Sequence, residues 1–161
     1  MKKRTWLIAS ATILAGALAG CATSPAHRTI AETTAATPQL STLNKLIQDA
    51  GMADQLRGVG PYTVFAPSDE AFKALPKSTY DKLAADKEQL KQVLSYHVLP
   101  GKMTAAELKT GNAKTVEGAN VALSKSGTFV TVEDAVVTQA DVPATNGVVH
   151  VIDRVLMPPK K

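Results

Sequence analysis

The sequence predicts an α+β domain, with helices first and strands after, on three observations. From Ser41 to about Leu108 the apolar residues recur at helical spacing, interrupted by one strand-like segment at Tyr62–Ala66. From about Thr115 the spacing changes to two. The longest apolar run after the first twenty residues, Val148 to Leu156, has no alternation at all, as expected of a central strand buried on both faces.

Each element has a local reason. Ser41 is placed to cap a helix whose Leu43, Leu46, Ile47 and Ala50 form one apolar stripe, and Gly51 closes it. A short helical turn is expected at Ala53–Leu56, before Gly58, Gly60 and Pro61 break the chain. Tyr62–Ala66 reads as a strand ended by Pro67. Ser68 then caps a helix with Asp69 and Glu70 in its first turn, where the helix dipole favours negative charge. Ser78–Ala85 presents Tyr80 and Leu83. Asp86 caps the next helix, with Gln89 reaching back and with Leu90, Val93, Leu94 and His97 on one face, and Pro100-Gly101 stops it. Thr104 and Glu107 repeat the capping-box spacing before Leu108, with Gly111 as the stop. Val116, then Val121 and Leu123, Phe129 to Val132, Val136 and Val137, and Val148 to Val155 read as strands, separated by turn residues that include Asn146-Gly147.

The first residues are an address. Met1-Lys2-Lys3-Arg4 precedes a nearly apolar run from Trp6 to Gly20, too short for a membrane-spanning helix of about 20 residues. Residues 1–20 therefore read as a secretory signal. Its end, Leu18-Ala19-Gly20-Cys21, is the pattern of a bacterial lipoprotein signal, in which the Cys21 sulfur is diacylated and becomes the new N-terminus. Each buried methylene contributes about 0.8 kcal/mol, so two or three chains hold a protein at a membrane durably. Ala22 after the cysteine resembles the pattern that sends such proteins to the outer membrane. Residues 21–37 are small and polar and read as a flexible tether a few nanometres long at most, with His27 solvated within it. Residues 38–159 read as one domain.

Removing the address changes the charge. Of 18 Lys and Arg, three leave with it, and the remaining 15 face 14 Asp and Glu. A chain so balanced, without a basic stripe or interleaved aromatics, gives no support to nucleic-acid binding. The single cysteine serves the lipid, leaving none for disulfides or thiolate metal sites. Lysines 82, 87, 91, 102 and 109 alternate with Asp81, Asp86, Glu88 and Glu107, a mixed solvated face.

Candidate chemistry is sparse. Ser68, Asp69 and His97 are residue types of a nucleophile system, but Ser68 lacks the Gly-x-Ser-x-Gly elbow, and both Ser68 and Asp69 are explained as helix-start residues. His97 and His150 are the only histidines in the domain and have no metal-ligand spacing. Each sits in an apolar stripe, where a histidine usually bonds backbone groups. No cofactor and no metal is expected.

Three segments carry a resemblance: Thr63-Val-Phe-Ala-Pro-Ser-Asp-Glu-Ala-Phe72, Tyr96-His-Val-Leu-Pro-Gly101 and Asn146-Gly-Val-Val-His-Val-Ile-Asp-Arg-Val-Leu-Met157. In this order and spacing they resemble the paired motifs and the Tyr-His segment of the fasciclin-like domain family. The resemblance implies a compact β-wedge of two sheets with the N-terminal helices packed against it. It casts Ser68, Asp69, Asn146, Gly147, His150 and Asp153 as structural motif residues, and makes Tyr96 and His97 candidates for partner binding. Ser68 stands where many relatives have threonine. The implied function is non-catalytic: a monomeric, lipid-anchored adhesion or protein-interaction module of the cell envelope, with the membrane and a protein or matrix as partners. The alternative is a periplasmic module binding a small ligand or lipid in a pocket between sheet and helices.

Overall fold

The structure, a computed structural model, describes residues 28–159. The signal segment, Cys21 and His27 lie outside the described residues.

Among the described residues the chain forms six α-helices, one 3-10 turn (Pro38–Leu40) and seven strands: α1 (Ile30–Ala36), α2 (Ser41–Asp49), α3 (Ala53–Arg57), β1 (Tyr62–Pro67), α4 (Asp69–Ala74), α5 (Lys77–Ala85), α6 (Lys87–Tyr96), β2 (Val98–Pro100), β3 (Gly111–Lys114), β4 (Asn120–Ser126), β5 (Phe129–Val132), β6 (Ala135–Ala144) and β7 (Gly147–Ile152). The α+β expectation holds, helices first.

The first helix corrects the reading of residues 21–37 as a tether where the structure describes them, from residue 28 on. Thr29 caps α1 in a capping box: its hydroxyl accepts from the Glu32 amide, and its own amide donates to the Glu32 carboxylate (2.9 Å). Ile30 is 0 % exposed, and Ala31, Thr33 and Thr34 are also buried. With one large apolar residue, α1 shows no helical stripe in the sequence. Its short side chains instead let the backbone approach the rest of the core closely.

Helix α2 ends as its Gly51 predicts. Gly51 has φ +68°, its amide donates to Gln48 O, and the Met52 amide donates to Ile47 O, the paired bonds of a Schellman motif. Its start differs from expectation. Ser41 is the first helical residue and makes no cap of its own; its hydroxyl donates to Asp69 instead. Helix α6 also stops earlier than expected, at Tyr96, because Val98–Pro100 pairs antiparallel with the edge of β1. Of the capping box expected at Thr104 and Glu107 only half forms: the Thr104 amide donates to the Glu107 carboxylate, but the Thr104 hydroxyl donates there too and does not accept from the Glu107 amide, and a single turn precedes β3. Val116 follows β3 rather than belonging to a strand.

The strands run in the order β2-β1-β7-β6-β5-β4-β3. Among the described residues, only β1 and β7 pair in parallel, with Tyr62 beside Gly147 and Pro67 beside Ile152. Strand β6 serves two sheets. Its first residues pair with β5; the rest pair with β7 through two register shifts, and the sheet bends there. The Val116 amide donates to Val98 O (2.8 Å), so the segment after β3 meets β2 and the wedge nearly closes.

Two cores result. Alternate residues of β1 and β7 (Val64, Ala66, Val149 and Val151) pack with the helices. Phe65 and Ile152 face the interior of the wedge with Tyr96, Leu99, Val121, Val132 and Leu156. A strand with a core on each side has no polar face, which is why Val148 to Ile152 shows no alternation.

Candidate functional site

The motif residues gather at the two ends of the parallel β1–β7 pair. At the starting end, Asn146 and Gly147 form the turn between β6 and β7. The Asn146 side chain joins two other segments, the start of α1 and the end of α3. Its Oδ1 accepts from the Ile30 amide (2.8 Å), and its Nδ2 donates to Leu56 O (2.7 Å) and Gly58 O (3.0 Å). Its backbone carbonyl accepts from the Tyr62 amide (3.0 Å). Gly147 lies so close to β1 that a Cβ would stand 1.9 Å from the Tyr62 carbonyl oxygen. Glycine is required by this approach.

At the finishing end, the Ser68 amide donates to Ile152 O (3.0 Å) and its hydroxyl caps α4 by accepting from the Ala71 amide (3.2 Å). Asp69 Oδ1 accepts from the Thr42 amide (2.8 Å) and Oδ2 from the Ser41 hydroxyl (2.6 Å). Burial raises the Asp69 pKa, but the hydrogen bonds from Ser41 and Thr42 outweigh it and hold the carboxyl below its ordinary value. Asp153 extends the β6–β7 ladder: its carboxylate accepts from the Val136 amide (2.7 Å), and its own amide donates to Val136 O (3.1 Å).

The histidines lie inside. His97 is 2 % exposed; its Nδ1 donates to Val93 O (2.7 Å), and its Nε2 accepts from the Leu156 amide (2.9 Å). His150 is 0 % exposed and uses the opposite tautomer, Nε2 donating to Met103 O (2.9 Å) and Nδ1 accepting from the Asp141 amide (3.2 Å). Its ring stacks on Phe65 with centroids 5.6 Å apart. These partners require neutral rings, and desolvation agrees: it pushes His97 down to about 4 and lowers His150 as well, each against a weaker upward pull from its backbone acceptor. Each imidazole is a two-way bridge between backbone segments.

Tyr96 is 2 % exposed, and its hydroxyl lies 3.0 Å from Asn120 O and 3.1 Å from a Glu133 carboxylate oxygen. Burial first, then the hydrogen bond and charge of Glu133, push its pKa up to about 12. Neither Tyr96 nor His97 therefore presents its ring to a partner. The structure does not bring Ser68 to His97 either, since both His97 nitrogens and the Ser68 hydroxyl are occupied by backbone groups. Among the described residues, no cluster of three or more His, Cys, Asp or Glu is placed to hold a metal ion.

Sequence reasoning missed one surface feature. An open groove of about 390 Å³ lies between α2, α4 and α5, floored by Phe72, Leu75 and Tyr80 and flanked by Lys73 and Lys77. Phe72 and Tyr80 meet edge to face, centroids 6.4 Å apart. The spacing of these apolar residues is visible in the sequence, but their incomplete covering depends on how α5 packs.

Known proteins share this architecture. The fasciclin domain family profile matches residues 38–158. Protein sll1483 of Synechocystis is 41 % identical over 133 residues, 81 % of this chain and 74 % of that protein. Cell surface glycolipoprotein MPB83 of Mycobacterium bovis is 36 % identical over 149 residues, 89 % of this chain and 65 % of that protein. Pig transforming growth factor-beta-induced protein ig-h3 is 39 % identical over 122 residues, 75 % of this chain but 18 % of its own length. The solved structure of a FAS1 domain pair from the insect cell adhesion molecule Fasciclin I matches with a TM-score of 0.66 at 19 % identity, covering 81 % of this chain and 51 % of that one. With the wedge, the paired motifs and these relatives in agreement, this chain belongs to the fasciclin domain family.

Proposed function

We propose that the protein is exported, acylated on Cys21 and held at the cell envelope, at the outer membrane, as a monomeric, non-catalytic adhesion or protein-interaction module. One observation carries this reading. The polar motif side chains, Ser68, Asp69, Asn146, His150, Asp153 and with them His97, are spent on hydrogen bonds that join the protein's own segments. Their arrangement supports a rigid body whose contacts with partners are made on the outside. The name of one relative, a cell surface glycolipoprotein, supports both the location and the anchor.

Mass spectrometry of the protein from cell membranes tests the anchor, with acyl chains on Cys21 as the expected result. Adhesion of whole cells to matrix or to one another, compared between the native chain and Cys21→Ser, tests the module. Loss of adhesion in the variant with the fold intact is expected. Equal adhesion by both overturns the reading.

A second reading, a binding module for a small apolar ligand, is favoured by the Phe72–Leu75–Tyr80 groove. Titration with a fluorescent fatty acid tests it, and displacement of the probe on Tyr80→Ala is the expected sign.

A further inference from the structure

The docking of α1 leaves very little chain between the lipid and the domain. Arg28 is already fastened, its carbonyl accepting from the Thr145 amide (2.8 Å). The next residue caps α1, and Ile30 is held by Asn146. Seven residue steps separate Cys21 from Arg28, a reach of about 25 Å when fully extended. A compact domain of this length has a radius of roughly 18 Å, so the surface path from one pole to the other is roughly 55 Å. A lead so much shorter than that path cannot carry the chain to the far side. Arg28 must stay within about 25 Å of the membrane, so the pole where it arrives cannot be the one turned farthest from the bilayer.

That pole exposes an apolar tip. Asn146 holds the carbonyls of Leu56 and Gly58 beside Ile30, so the Gly58-Val59-Gly60-Pro61 loop lies next to the arriving chain. Val59 at its apex is 99 % exposed. The charges around it balance: Arg57 pairs with Asp54 (3.3 Å), and Arg28 is accompanied by Glu32. No net negative charge opposes approach to a bilayer. From this loop β1 leads away to Ser68, Asp69 and Glu70, roughly 17 Å along the strand.

We propose that the acylated protein sits on the bilayer in one orientation, with the Gly58–Pro61 loop at the lipid interface, Val59 inserted and the Ser68–Glu70 end turned outward. This rests on acylation of Cys21. Interfacial apolar groups enter to a depth of about 5–10 Å, within reach of a side chain on such a loop.

The only tryptophan of the chain, Trp6, belongs to the signal segment, so an introduced indole reports alone. Full-length Val59→Trp and Glu70→Trp chains would be expressed, processed and purified from membranes, then reconstituted in vesicles of phosphatidylethanolamine and phosphatidylglycerol with brominated acyl chains. The expected result is at least twofold quenching at position 59, little at 70, and loss of that difference when about thirty Gly/Ser residues are inserted between Thr23 and Ser24. Equal quenching at both positions, or none at either, in protein whose Cys21 carries acyl chains by mass spectrometry overturns the orientation alone. Protein without acyl chains overturns the anchor and the orientation with it.

Discussion

The Asp69 carboxylate caps a helix that begins 28 residues earlier in the chain, binding the Ser41 hydroxyl and the Thr42 amide at the start of α2. The same residue opens α4, immediately after β1. One side chain thus fixes the approach of α2 to the finishing end of the central strands.

Asp69→Ala removes this long-range cap and is expected to cost about 1–2 kcal/mol, in the range of other lost N-caps. The Asp69 pKa is lowered in the fold, so its contribution is present above the unfolded carboxyl value and is lost as pH falls through the folded one. Urea denaturation at neutral and acid pH checks both points: the variant is weaker at neutral pH, and the gap narrows in acid.

Ser68→Ala deletes only the local cap of α4. A loss of about 1 kcal/mol is expected, with the fold retained. A thermal melt of the variant measures it.

His97 makes stability depend on acid. Its pKa falls from 6.5 unfolded to about 4 folded, so protonation favours the unfolded chain. The bond from the Leu156 amide is fully available above pH 6.5, and stability drains as pH drops from there towards 4, by on the order of 3 kcal/mol from this one ring. In His97→Gln, which keeps a donor and an acceptor without a titrating group, that part of the pH profile should flatten. Denaturant midpoints between pH 4 and pH 7 decide the matter.

Asn146 needs both of its functions, the acceptor and the donor. Asn146→Asp keeps the oxygen for the Ile30 amide but cannot donate to Leu56 O and Gly58 O. The expected cost is about 2–4 kcal/mol, from two carbonyls left facing a carboxylate. Circular dichroism melts against the native chain measure it. A substitution that kept full stability would show that the three segments are held by other means.

Ile30→Ala tests whether α1 is part of the folded body. The side chain is wholly buried, so the expected loss is about 2–4 kcal/mol. A residue in a solvated tether would lose almost nothing, and the denaturant midpoint separates the two cases.

The helical stripes of α2 and α6, the Gly51 stop, the Ser68 cap, the change of period before the strands and the two-sided character of β7 were all legible in the order of residues. All of these are local: a stripe, a cap or a run is complete within a few residues. The family motifs were legible for the same reason. Features that depend on distant partners emerge only once the chain is folded. Ser41 looked like a cap and is instead capped by Asp69. The Tyr96–His97 pair stood in reach of a partner on paper and is buried once β2 folds back onto β1. Ile30, a lone apolar residue among small ones, carries no periodicity, so its burial could not be read until Asn146 and β7 were brought beside it by the sheet.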